Sequence, residues 1–243
     1  MTLAVEISHW IGEQVRGAGL SGAVVGLSGG IDSAVVSGLC ARALEPENVL
    51  GIIMPAHSSP ADQRDAELVA REWGIEYKTV DLSSIYDGML QIVGEGNDLA
   101  RANVKPRLRM ITLYYHANTL NRMVVGTGNR SELLVGYFTK YGDAGVDLLP
   151  IAGLYKHQVW ELAREIGVPQ SIIDRPPSAG LWEGQTDEQE MGVSYADLDR
   201  VLEAIATGEE VDVDLAVRER IMRMHRTSEH KRHLPPVFQP GQR

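Results

Sequence analysis

Two spacings of apolar residues alternate along the chain. Leu3, Ile7, Ile11 and Val15 recur at every fourth position, which predicts an amphipathic opening helix. Short apolar runs bounded by glycine, proline or polar residues then predict buried strands. These strands are a first one beginning at Ala23, three more at residues 49–54, 75–80 and 122–127, and a short final one at 148–151.

Helical spacing fills most of the intervals between these strands. Helices are predicted over 61–73, over 98–120, and around 154–166, 198–205 and 217–224. The second is expected to be interrupted or kinked near Pro106, because proline lacks a backbone donor. This alternation predicts an α/β fold, a single domain over residues 1–243. Its doubly wound, mostly parallel five-stranded sheet carries helices on both faces.

Residues 174–194 contain too many helix and strand breakers for regular structure. A segment of this length without an element is usually an active-site lid or a binding loop. We therefore expect a mobile lid here, without fixed order when no ligand is bound.

The first predicted strand runs into a glycine-rich turn and then a helix. Ser28, Gly29 and Gly30 form the turn, and the first helical turn carries Asp32 and Ser33. Glycines let backbone N–H groups approach a ligand, and a helix N-terminus adds unpaired donors, so this stretch predicts a phosphate cradle. The stretch has no Gly-Lys-Ser/Thr and is not a Walker loop. Its carboxylate would hold phosphate through Mg²⁺.

The same stretch also fits the nucleophile elbow of serine hydrolases. Gly26, Ser28 and Gly30 match G-x-S-x-G, and His225 could supply the late histidine. In those enzymes several strands precede the elbow, whereas a single helix precedes it here. A turn that only reverses the chain is the remaining alternative.

A second Gly/Asn turn follows the fourth predicted strand at Thr127–Glu132. Ligands bind at the carboxyl ends of parallel strands, where strand order reverses. If the first and fourth strands are neighbours, Asp32 and Glu132 converge into a plausible Mg²⁺ site. Alternatively, Glu132 is only a first-turn acid favoured by the helix dipole.

Charge and composition exclude several classes of function. The formal net charge is −10, which argues against non-specific binding to nucleic acid or anionic membranes. No apolar run approaches the roughly 18 residues of a membrane span. The N-terminus lacks the layout of a signal peptide. Cys40 is the only cysteine, so no internal disulfide forms and a reducing, cytoplasmic location is expected.

Seven motifs along the chain together resemble the ammonia-dependent NAD⁺ synthetases, a branch of the N-type ATP pyrophosphatases with an adenine nucleotide α-hydrolase-like fold. They are Ser28–Ser33, Arg107–Met110, Gly126–Glu132, Thr139–Asp143 with Asp147, Pro177–Ala179, Gly184–Glu188 and His230–Pro235. The cradle alone specifies only the superfamily, whereas the Thr-Lys-Tyr-Gly-Asp loop and the tail are more specific. Ile31 and Pro106 depart from the common pattern.

The resemblance implies a two-step amidation, the last step of NAD⁺ biosynthesis. ATP adenylates the nicotinate carboxylate of deamido-NAD⁺ and pyrophosphate leaves. Ammonia then attacks the acyl-adenylate to give NAD⁺ and AMP. The resemblance also implies Mg²⁺ as cofactor and a homodimer, for which the opening helix and the 98–120 helix are candidate interface elements.

The resemblance further implies roles for individual residues. ATP-binding residues are Gly26, Leu27, Ser28, Gly29, Gly30, Ile31, Asp32, Ser33, Thr127, Lys156 and Ser178; metal ligands are Asp32 and Glu132; substrate-binding residues are Arg107, Lys140, Asp147, His230 and Lys231. Lys156 would neutralise charge on the phosphoryl oxygens as a catalytic group. The alternatives are a solvated helix residue for Lys156, a helix-surface arginine for Arg107, and a solvated tail or a metal site for residues 230–233. Tyr137 and Phe138 either stack on the nicotinate ring or belong to the core.

Asp143 is the candidate for the second catalytic role. A carboxylate beside the adenylate could bind ammonium and accept its proton. The alternative is an aspartate that serves only the local turn. A glutaminase would need a nucleophilic cysteine or its equivalent and an extra domain. Cys40 lies in a small-residue helix and is interpreted as packing. We therefore expect no fused glutaminase domain, and ammonia either free or supplied by a separate partner.

Other adenylating enzymes and a silent nucleotide-binding module are the remaining rivals. A tRNA-thiolating enzyme would need catalytic cysteines and a basic RNA-binding face, and neither pattern is present. The synthetase half of GMP synthetase would share the cradle. Production of AMP and pyrophosphate that depends on deamido-NAD⁺ separates the favoured function from these alternatives.

Overall fold

Four of the apolar runs form the strands of one parallel sheet. The computed structural model describes residues 1–178, 180 and 184–239. The strands are β1 (Ala23–Gly26), β2 (Val49–Ile53), β3 (Glu76–Thr79) and β4 (Met123–Val125), in the spatial order β3-β2-β1-β4. The central strands are buried on both faces, whereas β3 lies at the edge and is more polar and exposed.

Twelve α-helices surround this sheet in the described part of the chain. They are α1 (Leu3–Gly17), α2 (Ile31–Leu44), α3 (Pro60–Glu72), α4 (Ser83–Val93), α5 (Asp98–Ala102), α6 (Val104–Leu120), α7 (Arg130–Val135), α8 (Lys156–Ile166), α9 (Gln170–Ile173), α10 (Asp187–Met191), α11 (Tyr195–Thr207) and α12 (Leu215–Thr227). Short 3₁₀ turns lie at Pro46–Asn48 and Glu229–Lys231.

Successive side chains of each strand enter two separate cores. Ala23 and Val25 of β1 pack in the core formed with α1, α2, α3 and α8, whereas Val24 packs on the opposite face with α6. Helices therefore cover both faces of the sheet. The chain runs outward from β1 to β2 and β3, then returns to place β4 on the other side of β1. The strand order reverses between β1 and β4, which is where a ligand site is expected.

The prediction of a fifth strand at 148–151 is wrong: the sheet formed by the described residues has four strands. Leu148 forms a single parallel bridge with Val125 and the pairing stops there. The side chain of Asp147 accepts the N–H of Val124 at 2.9 Å, a donor that a neighbouring strand would otherwise use. Pro150 has no N–H to continue the pairing.

The helix predicted over 98–120 is two helices. Asn103 separates α5 from α6, and Pro106 lies in the first turn of α6, where its missing N–H leaves no hydrogen bond unmade. The pattern did not predict α4, whose apolar side chains Ile85, Met89 and Ile92 face outward.

The 174–194 segment is more regular than predicted. It contains α10, which begins at the N-cap Thr186 and ends at the left-handed Gly192. The predicted mobile lid also includes residue 179 and residues 181–183, which lie outside the described residues.

A third core packs α7 against the C-terminal helices α11 and α12. Val135, Tyr195, Leu198, Leu202 and Ile221 are among its buried members. This core places α11 directly behind the N-terminus of α7, next to the carboxyl end of the sheet. Among the described residues, no helix combines the length and apolar character needed to cross a bilayer.

Candidate active site

The turn after β1 is held by its own serines. Ser28 Oγ accepts the N–H of Gly30 at 3.2 Å and hydrogen bonds with Ser33 Oγ at 3.1 Å. Ser33 Oγ donates to the carbonyl of Gly30 at 2.9 Å. Gly29 has φ +79°, and a Cβ there would lie 2.5 Å from the carbonyl oxygen of Asp62. Position 29 therefore requires glycine for two reasons: its backbone conformation is left-handed, and a side chain would have no space.

The turn after β4 is joined directly to the first one. Asn129 caps α7: its side-chain oxygen accepts the N–H of Glu132 at 3.0 Å, and the Glu132 carboxylate accepts the N–H of Asn129 at 3.3 Å. The Asn129 amide donates to Asp32 Oδ1 at 3.0 Å. The two turns therefore converge, as the sequence predicts, because β1 and β4 are neighbours.

Lys156 completes this junction. Its ammonium lies 2.5 Å from Asp32 Oδ2 and 3.6 Å from Glu132 Oε1. The side chain is fully buried (0% exposed), so the alternative of a solvated helix residue is wrong. Burial alone would lower the pKa of Lys156, but the charges of Asp32 and Glu132 outweigh it and raise the pKa. Lys156 is thus a permanent cation placed beneath two carboxylates.

Sequence reasoning assigned no role to a third acid, Asp187, although it lies in the quoted Gly184–Glu188 motif. It is 4% exposed and accepts hydrogen bonds from the hydroxyls of Tyr195 at 3.0 Å and Tyr137 at 3.1 Å. Burial raises the pKa of Asp187, and the nearby charge of Lys156 partly offsets that shift. The only available signal was motif membership, because no periodicity places α10 beside the sheet.

Two carboxylates therefore contact the Lys156 ammonium group, and the charge of a third, Asp187, also acts on it. Burial and the charge of Asp32 raise the pKa of Glu132 to about 8. Excess negative charge carried by oxygen donors fits a hard divalent cation. The described residues contain no set of three protein ligands arranged around one point. A cation here would take its remaining ligands from phosphate oxygens and water.

A cavity of about 520 Å³ opens above this junction. That volume is ordinary for a small-molecule site. Twelve of the predicted site residues line it: Gly26, Leu27, Ser28, Gly30, Ile31, Asp32, Ser33, Thr127, Glu132, Asp143, Ser178 and Lys231. Six others do not reach its wall: Gly29, Arg107, Lys140, Asp147, Lys156 and His230.

Asp143 lies on the cavity wall, and its side chain is open to the cavity. Its Oδ1 accepts the N–H of Thr139 at 2.9 Å. Partial desolvation by the surrounding wall raises the pKa of Asp143, and hydrogen bonds from the Thr139–Asp143 loop and the charge of Lys231 limit the rise. Lys231 itself donates to the carbonyls of Gly136 at 2.8 Å and Phe138 at 2.9 Å. The tail thereby closes one side of the cavity.

The remaining predicted substrate contacts hold the tail and its neighbouring loop. Arg107 donates to the carbonyls of Asn103 at 3.2 Å and Lys140 at 3.3 Å. Lys140 Nζ donates to the carbonyls of His230 at 2.6 Å and His233 at 3.1 Å. Within the described residues no metal-binding set includes the tail histidines. Arg107, Lys140 and His230 are therefore brought together beside the cavity, but not on its wall.

Asp147 has a structural task that its motif did not reveal. It accepts the hydroxyl of Tyr114 at 2.8 Å as well as the N–H of Val124. Both contacts hold the outer edge of β4 at the point where the fifth strand is missing. The structure does not place Asp147 on the cavity wall with the other predicted substrate contacts.

The structure does not support the serine hydrolase alternative, because Ser28 and His225 have different hydrogen-bond partners. His225 Nδ1 hydrogen bonds with the carbonyl oxygen of Leu134 at 2.8 Å, whereas Ser28 hydrogen bonds with Ser33 and Gly30. The described geometry therefore contains no Ser28–His225 pair.

Two arginines on the cavity wall were not assigned by sequence reasoning. Arg109, from α6, donates to the carbonyl of Met54 at 3.2 Å. Arg175, at the start of the 174–194 segment, binds Asp65 at 2.6 Å and also pairs with Asp62 on α3. Arg109 lies inside the quoted Arg107–Met110 motif, and no sequence signal pointed to Arg175.

Comparison with known proteins identifies the family. A family model described as NAD synthase matches residues 3–235. The chain belongs to the NAD synthase family. An NH(3)-dependent NAD(+) synthetase of Archaeoglobus fulgidus is 52% identical over 95% of this chain and 94% of its own length. A second such synthetase, from Carboxydothermus hydrogenoformans, is 50% identical over 96% and 95%.

Solved structures of this family have the same fold. The structure of an NMN synthetase from Francisella tularensis matches with a TM-score of 0.89 at 37% identity, covering 98% of this chain and 97% of that one. An NH3-dependent NAD synthetase from Campylobacter jejuni matches with a TM-score of 0.85 at 30% identity and the same coverage. The resemblance drawn from seven short motifs is confirmed at the level of the family.

Proposed function

We propose that this chain is an ammonia-dependent NAD⁺ synthetase. It amidates deamido-NAD⁺ at the expense of ATP, through an acyl-adenylate, and releases NAD⁺, AMP and pyrophosphate. The observation that carries the proposal is the junction of the two turns, where Asp32, Lys156 and Glu132 meet beneath a nucleotide-sized cavity. Family relatives with this name, close to half identical over nearly the full length, support the same activity.

The cradle side of the cavity suits the triphosphate of ATP. Backbone N–H groups between Gly26 and Ser33 would hold the departing pyrophosphate, and Thr127 and Ser178 also line the cavity. Asp32 and Glu132 would hold Mg²⁺, whose positive charge would offset the negative charge of the phosphates. Lys156 keeps these two carboxylates together and supplies a fixed positive charge beneath them.

The opposite end of the cavity suits the second substrate. Asp143 would bind ammonium and accept its proton, because a carboxylate whose pKa is raised is a stronger base than one with an ordinary pKa. Lys231 lies close enough to limit that pKa shift, and Arg107, Lys140 and His230 lie beside it in the loop and tail. Lys231 would face the pyrophosphate bridge of the dinucleotide from the cavity wall, and Arg107 and Lys140 would add positive charge beside it.

The thiol of Cys40 is not suited to act as the nucleophile of a glutaminase. Cys40 is fully buried in α2, and burial raises the pKa of its thiol to about 12. We therefore propose that nitrogen enters as ammonia.

We also propose that the chain acts as a homodimer. Apolar side chains on α6 and the adjacent α4 are exposed to an unusual degree, among them Ile92 (84%), Tyr115 (67%) and Ile111 (59%). Large exposed apolar surfaces commonly mark contacts between subunits. Of the two candidate interface elements, α6 is therefore favoured over α1.

A mononucleotide substrate is the second candidate, because one structural relative is named an NMN synthetase. The test incubates the purified chain with ATP, Mg²⁺ and ammonium plus either deamido-NAD⁺ or its mononucleotide half. We expect AMP, pyrophosphate and NAD⁺ in equal amounts, only with the dinucleotide. Turnover of the mononucleotide alone would establish the second candidate. ATP binding without products, or labelling of Ser28 by a phosphonate, would contradict both.

A further inference from the structure

One buried carboxylate outside the cavity ties three helices together. Asp199 of α11 is 3% exposed. Its Oδ1 accepts the hydroxyl of Ser131 in α7, and its Oδ2 accepts the backbone N–H of His157 in α8 at 2.9 Å. The ring Nδ1 of His157 lies 3.0 Å from the same oxygen. An acid so completely enclosed is stable only because each oxygen is hydrogen-bonded.

The same group satisfies the start of α8. The first helical N–H, that of Lys156, donates to Ser131 Oγ at 3.0 Å, and the second, that of His157, donates to Asp199. The first N–H groups of a helix have no partner within the helix, and a negative charge beside them is favourable. Asp199 and Ser131 therefore cap α8 from two other helices.

Lys156 and Ser131, which these hydrogen bonds hold in place, lie next to the residues proposed to bind phosphate and Mg²⁺. Lys156 is the first residue of α8, and Ser131 directly precedes Glu132 in α7. Lys156 bridges Asp32 and Glu132 through its ammonium. The hydrogen bonds of Asp199 and Ser131 thus fix the backbone of Lys156 and the backbone immediately before Glu132. A shift of either helix start would change the distances among the three charges.

We propose that Asp199, acting through Ser131, is a positioning residue that holds Lys156 against Asp32 and Glu132 for ATP binding. It touches neither ATP nor the cavity wall. The proposal rests on the proposed function only in taking Lys156 to support ATP binding.

The test is a double-mutant cycle read by calorimetric titration with Mg²⁺-ATP, so that it does not depend on turnover. Asp199→Asn and Ser131→Ala are each made in the wild-type chain and in Lys156→Ala. His157→Ala is the matched control, because it removes a ring contact to Asp199 but keeps the backbone N–H that Asp199 accepts. Thermal unfolding of every variant shows which ones are folded.

We expect Asp199→Asn and Ser131→Ala each to weaken ATP binding about tenfold, the size of one charge-assisted hydrogen bond. In the Lys156→Ala chain the same changes should alter the dissociation constant less than about twofold, because coupled residues are not additive. His157→Ala should bind ATP like the wild type. If Asp199→Asn does not fold, the Ser131→Ala cycle decides.

The outcomes separate this proposal from the proposed function. If Lys156→Ala weakens ATP binding while Asp199→Asn and Ser131→Ala do not, the positioning role is excluded and the role of Lys156 stands. If Asp199→Asn and Ser131→Ala weaken ATP binding by the same factor in the wild-type and the Lys156→Ala chains, Asp199 acts by a route other than Lys156. That outcome would also exclude the positioning role. If Lys156→Ala binds ATP normally, the positioning role and the ATP-binding role of Lys156 both fail, whereas the proposed amidation is tested separately by its products.

Discussion

A single ammonium group, that of Lys156, pairs with two carboxylates at the junction of the two turns and lies near a third. Asp32 and Glu132 pair with Lys156, and Asp187 lies close enough for its charge to be felt there. Buried charges of this kind contribute little net stability, but removing one partner from such a set is costly. The arrangement is therefore better understood as a prepared site for a cation and phosphate than as a stabilising feature.

The protonation of Glu132 makes the stability of the chain depend on pH when no divalent cation is present. Its pKa in the folded chain is about 8, against 4.5 for an unperturbed glutamate. The folded state holds this proton more tightly than the unfolded state. The stability due to this group is therefore complete below pH 4.5 and is lost as pH rises through about 8.

We expect the free energy of unfolding in EDTA to fall from pH 6 to pH 8 by at least about 1 kcal/mol, and Glu132→Gln to lack most of this fall. Urea unfolding at both pH values measures it. Equal slopes in the two proteins would show that Glu132 is ionised in the folded chain at pH 6. Addition of Mg²⁺ should flatten the wild-type dependence, because ligand binding to the folded state favours the ionised carboxylate.

Asp143 should separate the two chemical steps. Asp143→Asn keeps the size of the side chain and removes its basicity. We expect adenylate formation, followed as ATP–pyrophosphate exchange, to change less than about threefold, and NAD⁺ formation to fall about 10²-fold or more. Raising the ammonium concentration should not restore the rate if proton acceptance is lost. Equal loss in both assays would contradict this role and indicate that the aspartate only shapes its turn.

Residue identity was more predictable than residue environment. Asp32 and Glu132 could be paired from sequence because each follows a strand at the same edge of the sheet. The burial of Lys156 could not, because it depends on Tyr195 and α11 closing over the start of α8. Asp187 was missed for the same reason: its position depends on tertiary packing more than a hundred residues from the cradle.

At the scale of elements, strands buried on both faces were the most predictable parts. Continuous Val, Ile and Leu runs define β1, β2 and β4 because both faces of each strand meet a core. The fifth strand failed because Asp147 and Pro150 interrupt its pairing. Helix α4 was not predicted although Ile85, Met89 and Ile92 recur at helical spacing, and the structure places these side chains outward instead of in a core.

The cradle element can be tested with two glycines of the same backbone conformation. Gly29 (φ +79°) and Gly19 (φ +71°) both lie in the left-handed region, but only Gly29 has a neighbour where a Cβ would stand. Gly29→Ala should therefore add a clash with α3 to the conformational cost of roughly 1 kcal/mol that both substitutions share.

We expect Gly29→Ala to lower the melting temperature more than Gly19→Ala and to weaken ATP binding at least about tenfold, since the cradle must shift to make room. Gly19→Ala should leave ATP affinity unchanged. Differential scanning calorimetry and ATP titration measure both quantities. Equal ATP affinity in the two variants would mean that the turn at Gly29 does not contact the nucleotide.

At the scale of the whole molecule, apolar surface is distributed unevenly. Ile85, Met89 and Ile92 form an exposed i, i+4, i+7 stripe on α4, and Ile111 and Tyr115 form an exposed i, i+4 pair on α6, which α4 contacts. Side chains of this size gain roughly 1.5–3 kcal/mol each when removed from water, so a second copy of the chain is a strong candidate to cover them. The opening helix is already used in the core with α2 and α8.

We therefore expect the wild-type chain to be a dimer at micromolar concentration, and Ile111→Glu with Tyr115→Glu to be monomeric, because two carboxylates cannot be buried without partners. Leu215→Glu is the matched control: this leucine is equally exposed, at 68%, but lies on α12, away from α4 and α6. Sedimentation velocity measures all three proteins, and circular dichroism confirms that each is folded. A monomeric wild type would remove the case for a homodimer, and a dimeric double variant would move its interface away from α6. Loss of the dimer in Leu215→Glu would instead place the interface on α12.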